Sequence, residues 1–406
     1  MGNRASRTRE AGKKEELPAL EVPTVDRERT SIADKEATAE MAFMLENMRM
    51  KTWAAEGDNI ERVLSREDNS AFRDAYVATS LPLDQDGFVK AHDADDSEAI
   101  RATFDALGLV VIRDAISAED CTRSVDELWG FLERQCKGLD RNNPRTWDKW
   151  PALSKLGILG NTFVLSPQFY ANRQSARIHR SFAALFGTEQ LHVNTGRASA
   201  MRPTRGVRLP ADETHSEEVV DKPEWRSKAG EDWLHWDMNP FTGASSSFSW
   251  RVNSVAANRG YGHLRTQGIL ALSDCASEDG GFFCVPGSHK VVRSWAAANS
   301  KNVGDNLVVS PESGMQLYLP KEDPLRLHAQ RAPIRAGDLL IWDARLLHCN
   351  YPNNSDRLRM VQYMQMKRAD DPAFSLLLQN RNLLPPEAEL ALTPLGERLL
   401  GFAPWG

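Results

Sequence analysis

The sequence predicts a mainly β domain, a sandwich or barrel of short strands with helices on its flanks. Two observations predict it. Short apolar runs punctuated by Gly, Pro and Asn recur between residues 191 and 367, while helical spacing is confined to the stretches before and after. Two insertions, 209–232 and 291–311, interrupt the strands at lengths that compact β domains keep for functional loops.

Taken in order, residues 1–35 are charged, poor in aromatics and without periodicity, and read as a flexible arm. The opening Met1-Gly2-Asn3-Arg4-Ala5-Ser6 fits the loose N-myristoylation pattern on Gly2, and Arg4, Arg7, Arg9, Lys13 and Lys14 follow. Such matches are frequent by chance, so a solvated tail is the plainer reading. Residues 36–96 are expected to form a helical extension, with Met41, Met44, Leu45, Met48, Met50 and Trp53 as a docking stripe. The main domain is expected over 97–375. It opens with a helix over 97–107, N-capped by Ser97 and ended by Gly108. A buried strand over 109–112 follows, then a helix from Ser117 to about Gln135 whose Ser117 and Asp120 make an acidic capping box. Strands are expected at 268–272, 282–285, 315–319, 338–342 and 360–365, and a helical tail at 376–406. No internal repeat is visible.

Composition narrows the function. The chain has 406 residues, 41% hydrophobic and 26% charged, which suffices for a large core without staples. Its 50 Lys and Arg against 56 Asp and Glu give a net charge of −6, so nothing draws it to nucleic acid. No apolar run approaches the roughly 18–20 residues of a membrane span. Nor is there a secretory signal. The five cysteines are scattered with no C-x-x-C pair, which speaks for reduced packing residues and against a zinc ribbon or disulfide scaffold. The expected location is cytoplasmic; oligomeric state is not legible.

Chemistry concentrates in two places. In His235-Trp236-Asp237 the first and third residues of a strand share a face, so imidazole and carboxylate converge while Trp236 points away. About 110 residues on, a Gly337-Asp338 turn feeds an apolar strand that ends near His348, a third ligand. Two His and one carboxylate suit a non-heme Fe(II) centre with open positions. Zinc hydrolases use similar ligands, so hydrolysis stays open. Beyond an Asn-rich turn stand Arg357 and Arg359, either of which is a bidentate partner for a distal carboxylate such as that of 2-oxoglutarate. Gln267 opens a strand pointing toward the site and is a candidate contact for co-substrate or substrate.

These residues, with Gly280-Gly281-Phe282-Phe283-Cys284-Val285-Pro286-Gly287-Ser288-His289-Lys290, resemble the phytanoyl-CoA dioxygenase-like (PhyH) family of Fe(II)/2-oxoglutarate oxygenases. The resemblance spans about 106–367. It implies a double-stranded β-helix, a jelly-roll barrel of the cupin type. It further implies His235, Asp237 and His348 as iron ligands, with 2-oxoglutarate and O2 as co-substrates. Arg359, eleven residues after the distal His, matches the family's 2-oxoglutarate-binding Arg better than Arg357. Arg202 is the nearest equivalent of an upstream co-substrate contact. The implied reaction hydroxylates a small or lipid-like substrate and releases succinate and CO2. An intact Asp237 argues against the halogenating relatives. A non-catalytic cupin-like binding or sensing protein is the competing class.

His289 is expected to serve its tight turn rather than a metal, and His192, His215, His263 and His328 have no paired spacing. Trp236, Phe241, Phe248 and Trp250 divide between core and pocket wall. Specificity is expected in 202–232 and 291–311. Asp212, Glu213, Glu217 and Glu218 disfavour a polyanionic CoA substrate, an effect that Arg205, Arg208 and Lys222 partly offset.

Overall fold

Two antiparallel five-stranded sheets stand where the short apolar runs occur. The computed structural model describes residues 76–150, 158–159, 166–194, 197–227, 233–238, 240, 265–299, 317–321, 323–370 and 391–406. Its strands are β1 (Leu109–Ile112), β2 (Leu191–Val193), β3 (Ala198–Met201), β4 (Val207–Leu209), β5 (Glu218–Val220), β6 (His235–Trp236) and β7 (Thr266–Ala271). They continue as β8 (Gly281–Cys284), β9 (Leu317–Tyr318), β10 (Gln330–Arg331), β11 (Leu339–Asp343), β12 (His348–Tyr351), β13 (Arg359–Met364) and β14 (Met366–Arg368). The first sheet runs β1-β11-β7-β13-β3 and the second β10-β8-β12-β6-β9. Six of the nine connections between successive described strands of these sheets cross from one sheet to the other, as in a jelly roll. Among the described strands no ladder joins the two sheets into a closed barrel.

The central strands are buried on both faces, which is why they read as unbroken apolar runs rather than alternating ones. In β7, Ile269 and Ala271 face the second sheet and pack with Leu109, Leu340, Phe282 and Val361. Leu270 faces the other way, into a core shared with Phe104, Phe131, Phe182, Ile341 and Met360. The helices α1 (Ser97–Leu107), α2 (Ala118–Gln135), α3 (Pro167–Arg173) and α4 (Ala176–Phe186) supply that outer layer. A third cluster of Leu234, Trp236, Phe283, Val285, Trp295 and Leu347 backs the second sheet.

Local signals account for most ends. Gly108 closes α1 in the left-handed region at φ 77°. The N-cap is Asp96 rather than Ser97: its carboxylate accepts from the Ala99 amide at 3.0 Å, and an ionised acceptor suits a helix N-terminus better than a hydroxyl. Ser117 and Asp120 make the expected reciprocal capping box of α2.

The helical extension over 36–96 requires a partial correction. Its Met stripe, like Gly2 and the arm, lies outside the described residues. In its described part, 76–96, no helix forms; Leu83 bridges Val89 and His92 bridges Ile112. Gly87 at φ 84° and the Asp84 carboxylate, which accepts from the Asp86 and Phe88 amides, commit this segment to a turn. Most of the expected tail 376–406 is likewise undescribed, but Pro394–Leu399 is helical, and Trp405 donates to the Leu191 carbonyl at 2.9 Å and stacks on His179. Among the described residues no helix is long and apolar enough to cross a membrane.

Asp338 makes a test of the sheet's edge. Its buried carboxyl accepts from the Asp114 amide at 3.0 Å, and burial pushes its pKa up to about 6. The protonated form therefore favours folding below about pH 4, an advantage lost as pH rises through about 6. Asp338→Asn keeps the acceptor and cannot ionise. It should gain up to about 3 kcal/mol over wild type at about pH 8, with no gain near pH 4, by urea unfolding. Equal gains at both pH values would contradict this.

Candidate metal centre

β6 and β12 are antiparallel neighbours with His235 directly opposite His348, so the two imidazoles project from one face of the second sheet. Asp237 lies two residues after His235 and returns to the same face. Trp236, between them, turns outward against Trp295 with ring centroids 4.6 Å apart. All three site residues are buried, at 3%, 0% and 6% exposure for His235, Asp237 and His348.

Their ligand atoms lie within 4.8 Å of one another. Asp237 Oδ1 is 3.4 Å from His235 Nε2, and Oδ2 is 3.3 Å from His348 Nε2. Those separations exceed the roughly 2.7–2.9 Å of a charge-assisted hydrogen bond. Two ligands bound at about 2.1 Å and at right angles to one ion lie about 3 Å apart, close to what is found. Each ring is held through its other nitrogen: His235 Nδ1 sits 3.0 Å from the Trp233 carbonyl and His348 Nδ1 2.9 Å from that of Leu346. An Nδ1–H donated to a carbonyl leaves the Nε2 lone pair facing the centre.

Electrostatics favour the same state. Burial lowers the pKa of His235, so the neutral, ligating form is preferred. Burial alone raises Asp237, but the adjacent His348 and His235 outweigh it and hold the carboxyl well below its usual range. Gln267 donates its side-chain amide to Asp237 Oδ2, fixing the carboxylate's rotation. Trp233 stacks on His235 at 5.0 Å, and Phe282 on His348 at 5.4 Å. The imidazoles are thus clamped on one face each.

Arg359 lies on β13 opposite Met201 of β3, on the strand face shared with Val361 and Tyr363. It is fully buried. Its Nη1 donates to Ser199 Oγ at 3.1 Å and the guanidinium interacts with the buried Cys275 thiol, while among the described residues Nε and Nη2 have no hydrogen-bond partner. Space beside it depends on Gly281, where a Cβ would stand 3.0 Å from Arg359 Nε and φ is 124°. Arg357 faces outward, more than half exposed, and pairs with Asp279 at 2.7 Å. Burial and vacant donors thus separate the two arginines, as charge alone does not.

Arg202 is not brought to this centre. It lies between the faces of Trp225 and Trp150, at 4.7 and 5.4 Å from their centroids, and donates to the Trp147 carbonyl. Alternation explains the difference: Ser199 and Met201 share the face of Arg359, whereas Ala200 and Arg202 take the opposite one. The upstream arginine near the centre is Arg197. It is buried, 5.9 Å from the Tyr363 ring; burial lowers its pKa to about 10, against the Tyr363 and Asp237 charges. Its position two before Ser199 was the available signal. Trp233, Phe282, Asn350 and Tyr363 were also missed, since packing roles across strands leave no spacing to read.

The other described histidines stay apart from the triad. His289 Nε2 meets the Asp105 carbonyl at 3.2 Å, and burial lowers its pKa to about 4. His192 lies 3.1 Å from the Arg398 carbonyl, His215 pairs with Asp212, and His328 packs on Tyr76. His263, Phe241, Phe248 and Trp250 lie outside the described residues.

A family model described as phytanoyl-CoA dioxygenase (PhyH) matches residues 104–361. Fold and site thus define an oxygenase-type enzyme. The chain belongs to the phytanoyl-CoA dioxygenase family. It is 26% identical over 285 residues to a Dictyostelium discoideum protein named "Putative phytanoyl-CoA dioxygenase", covering 65% of this chain and 73% of that one. It is 22% identical over 274 residues to Ava biosynthesis cluster protein O of Aspergillus versicolor, covering 66% and 76%. Among solved structures it is similar to the epimerase SnoN in complex with Fe3+, alpha-ketoglutarate and nogalamycin RO. That likeness has 16% identity and a TM-score of 0.40, over 68% of this chain and 85% of the other.

The placement of Arg202 predicts a separation of effects. Arg202→Met should lower stability by about 1–2 kcal/mol through its two lost indole contacts. Its metal affinity, measured by anaerobic titration, should match wild type. A variant of normal stability with impaired metal binding would contradict the placement.

Proposed function

We propose that this protein is an Fe(II)- and 2-oxoglutarate-dependent dioxygenase that hydroxylates a small or lipid-like organic substrate, releasing succinate and CO2. The observation that carries the reading is Arg359: a fully buried guanidinium with two unpartnered nitrogens, in the same sandwich interior as the His-Asp-His set. A buried cation with vacant donors costs several kcal/mol unless an anion meets it. The donor set also fits: two imidazoles and a carboxylate suit ferrous iron while leaving positions open. When bound, Fe(II) supplies the redox chemistry with O2 that no side chain can provide.

The chain's residues do the rest. His235, Asp237 and His348 would hold the metal, with Gln267 and the two backbone carbonyls fixing their orientation. Arg359 and Ser199 would bind the distal carboxylate of 2-oxoglutarate as a charge-assisted pair. Arg197, also buried, adds positive charge near Asp237. Trp233 and Phe282 cover ring faces and keep water from them.

The substrate class rests on less. Arg145 pairs with Glu218 at 2.9 Å and lies 3.6 Å from Asp212, so two of the four loop acids are already matched. That weakens the electrostatic case against an acyl-CoA, and an acyl thioester joins other small or lipid-like molecules as a substrate to try.

Anaerobic addition of Fe(II) and 2-oxoglutarate should give a weak visible charge-transfer band. His235→Ala should abolish it. Arg359→Ala should weaken 2-oxoglutarate binding at least tenfold, from loss of about 1.5–3 kcal/mol of charged hydrogen bonding, while Arg357→Ala leaves it unchanged. Gly281→Ala should weaken it as well, by crowding Arg359. A folded protein that takes up Fe(II) but gives no band would exclude the co-substrate and leave a hydrolytic or binding role.

A further inference from the structure

Among the described residues, three buried tryptophans carry an indole N–H with no hydrogen-bond partner: Trp150, Trp236 and Trp342. Trp150 lines the small cavity around Arg202, and Trp236 faces away from the metal ligands into the third core cluster. Trp342 is different in place. It stands at the end of β11, 2% exposed, with its ring 5.2 Å from His348 and 4.8 Å from Phe282. Its register partner on β7 is Gln267, the residue that holds Asp237. A purely structural side chain here needs only an apolar ring, and Phe would serve. An unpaired N–H buried at this position instead carries an uncompensated desolvation cost.

We propose that Trp342 Nε1–H is a positioning donor for 2-oxoglutarate, bonding an oxygen of its metal-chelating end. The inference rests on the co-substrate reading above and adds a residue to it. Three features converge on this assignment. The donor is buried and vacant, its ring packs on a metal-ligating imidazole, and its neighbour Gln267 already occupies the carboxylate of Asp237. Among the described residues nearby, the carbonyls beside His235 and His348 are taken by the ring nitrogens. An incoming carboxylate or keto oxygen is the acceptor that would remove the cost. With Arg359 at the distal end and Trp342 at the chelating end, the chain would grip both ends of one dicarboxylate.

The test uses the full chain, labelled with 15N, with Zn(II) as a diamagnetic stand-in for iron. The chain has eleven tryptophans, so the indole region is sparse, and the Trp342 signal is the one missing from Trp342→Phe. Adding 2-oxoglutarate to the Zn(II) protein should move that signal downfield, as hydrogen bonding does. In parallel, Trp342→Phe should bind 2-oxoglutarate about three- to tenfold more weakly with Zn(II) affinity unchanged, the loss of one neutral hydrogen bond. Trp342→Tyr provides the assignment if the Phe variant does not fold. If the Trp233 signal moves on adding 2-oxoglutarate while that of Trp342 stays, the co-substrate binds and Trp342 is not its donor. If 2-oxoglutarate does not bind the wild-type Zn(II) protein in the parallel titration, the co-substrate reading fails and the role of Trp342 with it; if it binds and no indole signal moves, the role of Trp342 alone fails.

Discussion

One carboxylate between two imidazoles, with all three groups out of water, sets the terms for the rest of the structure. Asp237 and its partners could not be buried at this density in a plain core: desolvation opposes the charge, and each histidine must present an unprotonated nitrogen. The jelly roll answers with backbone geometry. Pairing His235 opposite His348 fixes two ligands by register, and the period of two along the strand brings Asp237 round to join them. A slip of one residue in β12 would put Cys349 at the centre and His348 in the core behind it.

The interior also holds Arg359 and Arg197, both buried, and the fold tolerates them unevenly. Arg357, two residues earlier, has a carboxylate at 2.7 Å and ample solvent; Arg359 has one hydroxyl and two vacant nitrogens. Stability is a weak account of that choice, since a buried charge is often replaced by an apolar residue at no loss. Gly281 points the same way: its missing side chain preserves the room beside Arg359 at the cost of a strand glycine. A binding role explains both residues together.

Much of this was legible in the residues themselves. That His235, Asp237 and His348 could converge was legible because the strand period survives in one dimension, and the three side chains do lie together. The helix over 97–107, the capping box at Ser117 and the central strands were legible for the same reason: each is decided within a few residues. What escaped is what depends on partners far along the chain. Nothing local sets the face that Arg202 takes; one residue of alternation on β3 sends it to Trp150 and Trp225 rather than to the centre. The segment 76–96 was read as helical by extension from its neighbours, whereas Gly87 and the Asp84 turn fold it back on itself. The stacking of Trp233 and Phe282 on the imidazoles leaves no local pattern at all.

In the proposed function His235, Asp237 and His348 together bind one metal ion through nitrogen and oxygen. X-ray absorption at the iron edge of the Fe(II)-loaded protein tests it directly, because imidazole rings give characteristic outer-shell scattering. The account predicts a first shell of light atoms containing two imidazoles and no sulfur, falling to one imidazole in His348→Ala. A sulfur ligand, or an imidazole count unmoved by that substitution, would contradict it.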